Sequence, residues 1–133
     1  MNDNEIRWRQ IFDNYDKAFI ELNHVKDRIF ENNLEKAGYI HYFEIAFNLA
    51  NRVMFAYLEA KERFTEDYHL AVKELAGEGI IRDSHTWYKV ENRKKLPLFL
   101  HKNEMLFDEL IYDITETYIP EFTYFWERLK EIR

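Results

Sequence analysis

Between Tyr39 and Arg63 the sequence encodes a helix too apolar to have an ordinary wet side. Plotted at about 100° per residue, Tyr39, Ile40, Tyr42, Phe43, Ile45, Ala46, Phe47, Leu49, Ala50, Val53, Met54, Tyr57 and Leu58 cover more than half its circumference. One face of a bundle core cannot cover so wide an arc. The helix is therefore central to the fold, or is also buried against a second copy of the chain. Its remaining strip carries His41, Glu44, Asn48, Asn51 and Arg52, with Phe55 among them.

The flanking segments keep the same period. Trp8, Ile11, Phe12, Tyr15, Phe19, Leu22, Val25 and Ile29 form one stripe, which predicts a surface helix with a single inward face. The stretch "ENNLEKAG" interrupts the pattern before the central helix. Thr65, followed by Glu66 and Asp67, is placed to cap a short third helix that ends at Gly77 and Gly79. Asp83 or Ser84 can open another short helix through "HTWYKVENR", and Pro97 disfavours helix at Leu96. The last stripe runs Phe107, Leu110, Ile111, Ile114, Tyr118, Phe122, Phe125, Leu129, Ile132 and keeps its phase across Pro120. That predicts one long helix kinked at Pro120, or two nearly collinear ones. The sum is an all-α, up-and-down four-helix bundle with a short extra helix, expected to form a single domain over residues 1–133.

Composition removes several function classes. Only three glycines and two prolines occur, and with 33% charged and 47% hydrophobic residues the chain reads as a helix-rich globule instead of a disordered one. The absence of cysteine removes disulfides, thiolate metal sites and a cysteine nucleophile. The start "MNDNEIRWRQ" has no signal-peptide core, and no apolar run nears the ~20 residues a membrane-spanning helix needs. A cytoplasmic location is the expectation. Net charge is −6, yet Arg82–Lys102 holds six cations against two anions, leaving +4 on this segment and −10 on the rest. An acidic body argues against general nucleic-acid binding. A local basic patch on it suits one anionic ligand, one acidic partner, or a solvated helix end.

Few constellations carry chemistry. Glu21/His24 and Glu66/His69 have the Glu-x-x-His spacing of a di-metal carboxylate bundle, but both pairs fall away from the apolar stripes. No metal and no cofactor is expected. No glycine-rich phosphate loop is present, since Gly77 and Gly79 end a helix instead of opening one. Glu44 has two readings: a solvent-facing glutamate, or a partly enclosed carboxylate paired with Arg93 or Lys94, because an unpaired buried charge is costly.

Four blocks in order carry a family resemblance over almost the whole chain: "RWRQIFDNYDKAFIELN", "YFEIAFNLANRVMFAYLE", "AVKELAGEGIIRDSHTWYKVENR" and "ITETYIPEFTYFWERLK". Together they resemble HEPN domains of the nucleotidyltransferase substrate-binding type. The resemblance implies a helical bundle that dimerises and works beside a small, minimal nucleotidyltransferase, in many pairs as toxin and antitoxin. Toxin members are RNases with an Arg-x-x-x-x-His motif, whose histidine and arginine act on RNA. Here "VENRKKLPLFLHK" departs from that pattern: counting from Arg93 puts Leu98 at the histidine position, and counting from Lys94 puts Phe99 there. Neither can transfer a proton, which attack by a 2′-hydroxyl on a phosphate requires.

The resulting expectation is a non-catalytic, homodimeric subunit that binds a small nucleotidyltransferase, a nucleotide, or both. Arg93, Lys94 and Lys95 would supply phosphate or partner contacts, with Asn92 and Glu44 beside them. The alternatives are an RNase acting on RNA through Arg93 and His101, and a helical interaction module without a nucleotide role.

Overall fold

A computed structural model describes residues 2–93 and 104–133, with residues 104–106 as helical backbone alone. All regular structure among the described residues is helical: α1 (Asp3–Val25), α2 (Asn33–Ala60), α3 (Tyr68–Gly77), α4 (Ser84–Arg93), α5 (Glu104–Asp113), a π-helical segment (Ile114–Tyr118) and α6 (Ile119–Ile132). The all-α bundle expected from the apolar period is the fold.

Helix α1 begins where the Asn2 side chain accepts the Glu5 backbone N–H at 2.9 Å. It buries Trp8, Ile11, Phe12, Tyr15, Phe19 and Leu22, as its stripe predicts. The stripe does not extend to Ile29, which lies beyond the helix end and is 89% exposed.

Helix α2 starts six residues before Tyr39, because Asn32 caps it by accepting the Glu35 N–H at 2.9 Å. Glu35 reaches back to the Glu31 N–H at 3.3 Å, so the supposed interruption "ENNLEKAG" is a capping sequence. It packs against α1, α3 and α5. Most of its wide arc is therefore answered inside the chain, and this helix is the central one. Leu34, Tyr42 and Ile45 are its large apolar residues that stay exposed.

Helix α3 is capped by Asp67, which accepts the N–H groups of His69 and Leu70 at 2.9 and 3.2 Å. Thr65 sits two residues back, accepting the Asp67 N–H at 3.0 Å. The helix closes with a Schellman pair, Ile80 N–H to Leu75 C=O at 2.9 Å and Gly79 N–H to Ala76 C=O at 3.1 Å. Gly79, at φ 77°, takes the left-handed position; Gly77 is still helical.

Two features place α4 and the last helical run against each other. Glu121, only 5% exposed, accepts from Arg82 Nε and Nη2 at 2.8 and 2.7 Å and from the Asp83 N–H at 3.1 Å. A carboxylate so enclosed needs such partners, and they fix the entry of α4 to the start of α6. Trp87 of α4 then inserts fully into the core, its ring 6.1, 5.1 and 4.9 Å from those of Phe47, Phe122 and Phe125.

The helical run is continuous from Glu104 to Ile132, as the unbroken phase of its stripe predicts. Its irregularity is the π segment just ahead of Pro120. Pro120 has no N–H to give the Glu116 carbonyl, so the α pattern fails there. The Ile119 N–H instead bonds the Ile114 carbonyl, five residues back, closing the wider ring of a π turn.

Candidate binding site

The π turn decides what happens at the end of α4. Arg93 is its last residue, and Nη1 of that guanidinium donates to Asp113 Oδ2 at 2.5 Å and to the Tyr118 hydroxyl at 2.9 Å. Asp113 and Tyr118 are five residues apart. On an α-helix they would point about 140° away from each other and could not share one nitrogen. The intervening π turn, with its hydrogen bond five residues back, narrows that separation so that both reach one nitrogen. Proline, π turn and guanidinium clamp are thus one causal chain.

The clamp is half-enclosed, the Arg93 and Asp113 side chains being 22% and 29% exposed, and Tyr118 is fully buried. Burial works against the charge on Arg93, but the hydrogen bonds to Asp113 and Tyr118 outweigh it and raise the guanidinium above its ordinary range. Arg93 is held as a fixed, permanently charged donor.

Beside the clamp lies a cavity of about 360 Å³. Helix α2 contributes Ile40, Phe43, Glu44, Phe47 and Asn48, α4 gives Val90 and Arg93, and Leu110 and Tyr118 close the far side. Its aromatic wall is already packed: Phe43 stacks on Tyr118 at 5.7 Å and on Phe122 at 5.4 Å, and Phe47 stacks on Phe122 at 5.8 Å. Glu44 and Asn48, four apart on α2, fall on one helix face and supply polar groups to this apolar wall.

The sequence-predicted residues divide accordingly. Arg93 and Glu44 both line the cavity, yet the ion pair Arg93 makes among the described residues is with Asp113. Glu44 is exposed at the rim, which matches the solvent-facing one of its two readings, and Arg93 pairs with Asp113 instead; Lys94, the other partner considered, lies outside the described residues. Asn92 is exposed and does not line the cavity. Lys94, Lys95 and His101, with Pro97, Leu98 and Phe99, lie outside the described residues. Asp113 and Tyr118 were missed; Tyr118 showed itself only as a member of an apolar stripe, and Pro120 was the available signal that the helix geometry changes beside it.

Glu21, His24, Glu66 and His69 are all exposed, and among the described residues no group of three or more His, Asp or Glu could hold a metal ion. The described histidines, His24, His41, His69 and His85, are exposed, and none of them lines the cavity. Among the described residues no helix is long and apolar enough to cross a membrane.

Comparison with curated protein sequences returns no match. A family model, nucleotidyltransferase substrate binding protein like, matches residues 10–131. The chain belongs to that family.

Proposed function

We propose that this member of the nucleotidyltransferase substrate binding protein-like family is a non-catalytic, HEPN-type subunit that binds a small nucleotidyltransferase together with a nucleotide. The observation that carries the reading is the state of Arg93. Its Nη1 is engaged by Asp113 and Tyr118, beside a cavity that none of the described histidines lines. A fixed arginine with no described histidine beside it suits binding more than cleavage. The chain acts as one domain and as a homodimer, with the exposed Tyr42 and Ile45 of α2 at the two-fold contact. Lys94 and Lys95, next to the clamp in sequence, supply the charge that meets the partner.

Co-expression with a small nucleotidyltransferase tests this. The wild-type chain should capture that protein, and light scattering of the chain alone should give twice its 16.5 kDa mass. The double change Lys94→Glu and Lys95→Glu should weaken capture while helicity stays intact, because the Arg93 clamp is untouched. RNA incubated with the purified chain without divalent metal should remain whole. Cleavage abolished by both Arg93→Ala and His101→Ala would replace this reading with that of an RNase. A stable monomer would remove the dimer from it.

A further inference from the structure

Within the cavity the charges point away from phosphate. Arg93 is the one cation lining it among the described residues, and Asp113 already answers its charge. Glu44 adds a carboxylate at the rim. Among the described residues an entering phosphate would therefore meet two carboxylates near one guanidinium. An entering group with N–H donors and no charge of its own would meet acceptors.

The shape and the polar pattern narrow the group further. The volume of about 360 Å³ falls within the range of sites for small organic ligands, which runs from about 300 to 1,000 Å³. Ile40, Phe43, Val90 and Leu110 give apolar walls, and the stacked rings behind Phe43 hold that wall fixed. Glu44 is acceptor-only when ionised, while the Asn48 amide can donate. One turn apart on α2, they present an acceptor pair beside a donor. We infer that this cavity takes the base of a nucleotide and prefers guanine, leaving the phosphates outside. Guanine carries two adjacent N–H donors, at N1 and N2, for the Glu44 carboxylate, and its O6 accepts from Asn48. Adenine, cytosine and uracil each lack that run of acceptor, donor, donor.

The inference rests on the nucleotide-binding part of the proposed function, and its test separates the two. The full chain is titrated, by NMR of backbone and side-chain amides, with guanosine, uridine and inorganic pyrophosphate in turn. Guanosine should move the Asn48 side-chain amide and bind more tightly than uridine. Pyrophosphate should leave that amide in place. Glu44→Gln, an isosteric change at an exposed position, should weaken guanosine about tenfold, the loss expected of a charge-assisted hydrogen-bond pair. The inference is overturned if pyrophosphate shifts Asn48 and displaces guanosine, if uridine binds as well as guanosine, or if Glu44→Gln leaves guanosine affinity unchanged. No nucleoside binding, with the nucleotidyltransferase still captured, would sink the inference and leave the partner-binding role standing.

Discussion

Tyr118→Phe removes one oxygen atom from the Arg93 clamp and nothing else. The ring is fully buried and stacked on Phe43 at 5.7 Å, and phenylalanine keeps both the volume and the stack. What disappears is the 2.9 Å hydrogen bond from Arg93 Nη1. A hydrogen bond to a charged group contributes about 1.5–3 kcal/mol. Arg93 keeps Asp113 and is 22% exposed, so water repairs part of the loss and the lower end applies. A cost of about 1.5 kcal/mol in a chain of this size lowers Tm by roughly 5 °C and moves the urea midpoint without changing the slope. The control is Pro120→Ala. Restoring the N–H lets the Glu116 carbonyl take an α-helical partner, and by helix propensity alone the change stabilises by up to about 3 kcal/mol. If the π turn repairs to α, Asp113 and Tyr118 swing apart, and Arg93 keeps its ion pair with Asp113 and loses the Tyr118 hydroxyl. Pro120→Ala should therefore stabilise by much less than propensity allows, and Tyr118→Phe should cost almost nothing in its background. Equal costs of Tyr118→Phe in the two backgrounds would refute the link between proline and clamp.

Three further changes test local readings of the backbone and of charge. A Cβ added at Gly38, inside α2, meets nothing within 4 Å, so Gly38→Ala should stabilise by about 0.5–1 kcal/mol through the unfolded state. Gly79→Ala meets equally open space but must hold φ 77°, so it should destabilise by about 1–2 kcal/mol; paired thermal melts should show opposite signs. Glu5 has its pKa lowered by the hydrogen bond from Trp8 Nε1 at 2.9 Å, then by Lys61 at 3.2 Å. A lowered folded pKa contributes stability that is present above the ordinary value of 4.5 and is lost as pH falls through the folded value. Glu5→Gln should flatten the acid limb of a stability–pH profile and leave the alkaline side alone; an unchanged acid limb would remove Glu5 from it.

The bundle was legible because burial writes itself into period. Every residue of the α1 stripe through Leu22 is buried, as are Ile114, Tyr118, Phe122, Phe125 and Leu129 of the last run. Helix ends were less legible, since Asn32 and Asp67 are caps only in relation to the N–H groups they meet, and composition alone favoured Thr65 and a break before Tyr39. Arg93 and Glu44 could be named as neighbours of one site because a carboxylate on the polar strip of so buried a helix, if enclosed, needs a cationic partner. Their partners could not. Asp113 reaches Arg93 across 20 positions, and only through a π turn that an α-helical wheel cannot represent. Glu121 looked like an ordinary acid beside a proline, and its burial depends on Arg82 arriving from another helix's entry.

Those two contacts also change how the basic segment works. The +4 balance of residues 82–102 counts Arg82 and Arg93 as available cations. In the fold both are committed to carboxylates of the last helical run, Arg82 to Glu121 at 2.7 Å and Arg93 to Asp113 at 2.5 Å. Each pair ties α4, one at its entry and one at its end, to the chain around Pro120. Arginine suits that task, because its planar fork can hold an oxygen and still pack, as Arg82 does over the Tyr124 ring at 5.1 Å. The segment's other cations, Lys89, Lys94, Lys95 and Lys102, are all lysines, compact point charges on flexible stems. In the proposed role a division of labour follows: the arginines orient α4, and the lysines are the cations left to meet an anionic surface. Attraction through lysines is screened by salt, whereas the half-enclosed arginine pairs are screened much less. Capture of an acidic partner should accordingly weaken as ionic strength rises, under conditions where the thermal stability of the chain itself barely moves. Stability and capture falling together with salt would mean that the arginine pairs, and not the lysines, form the contact.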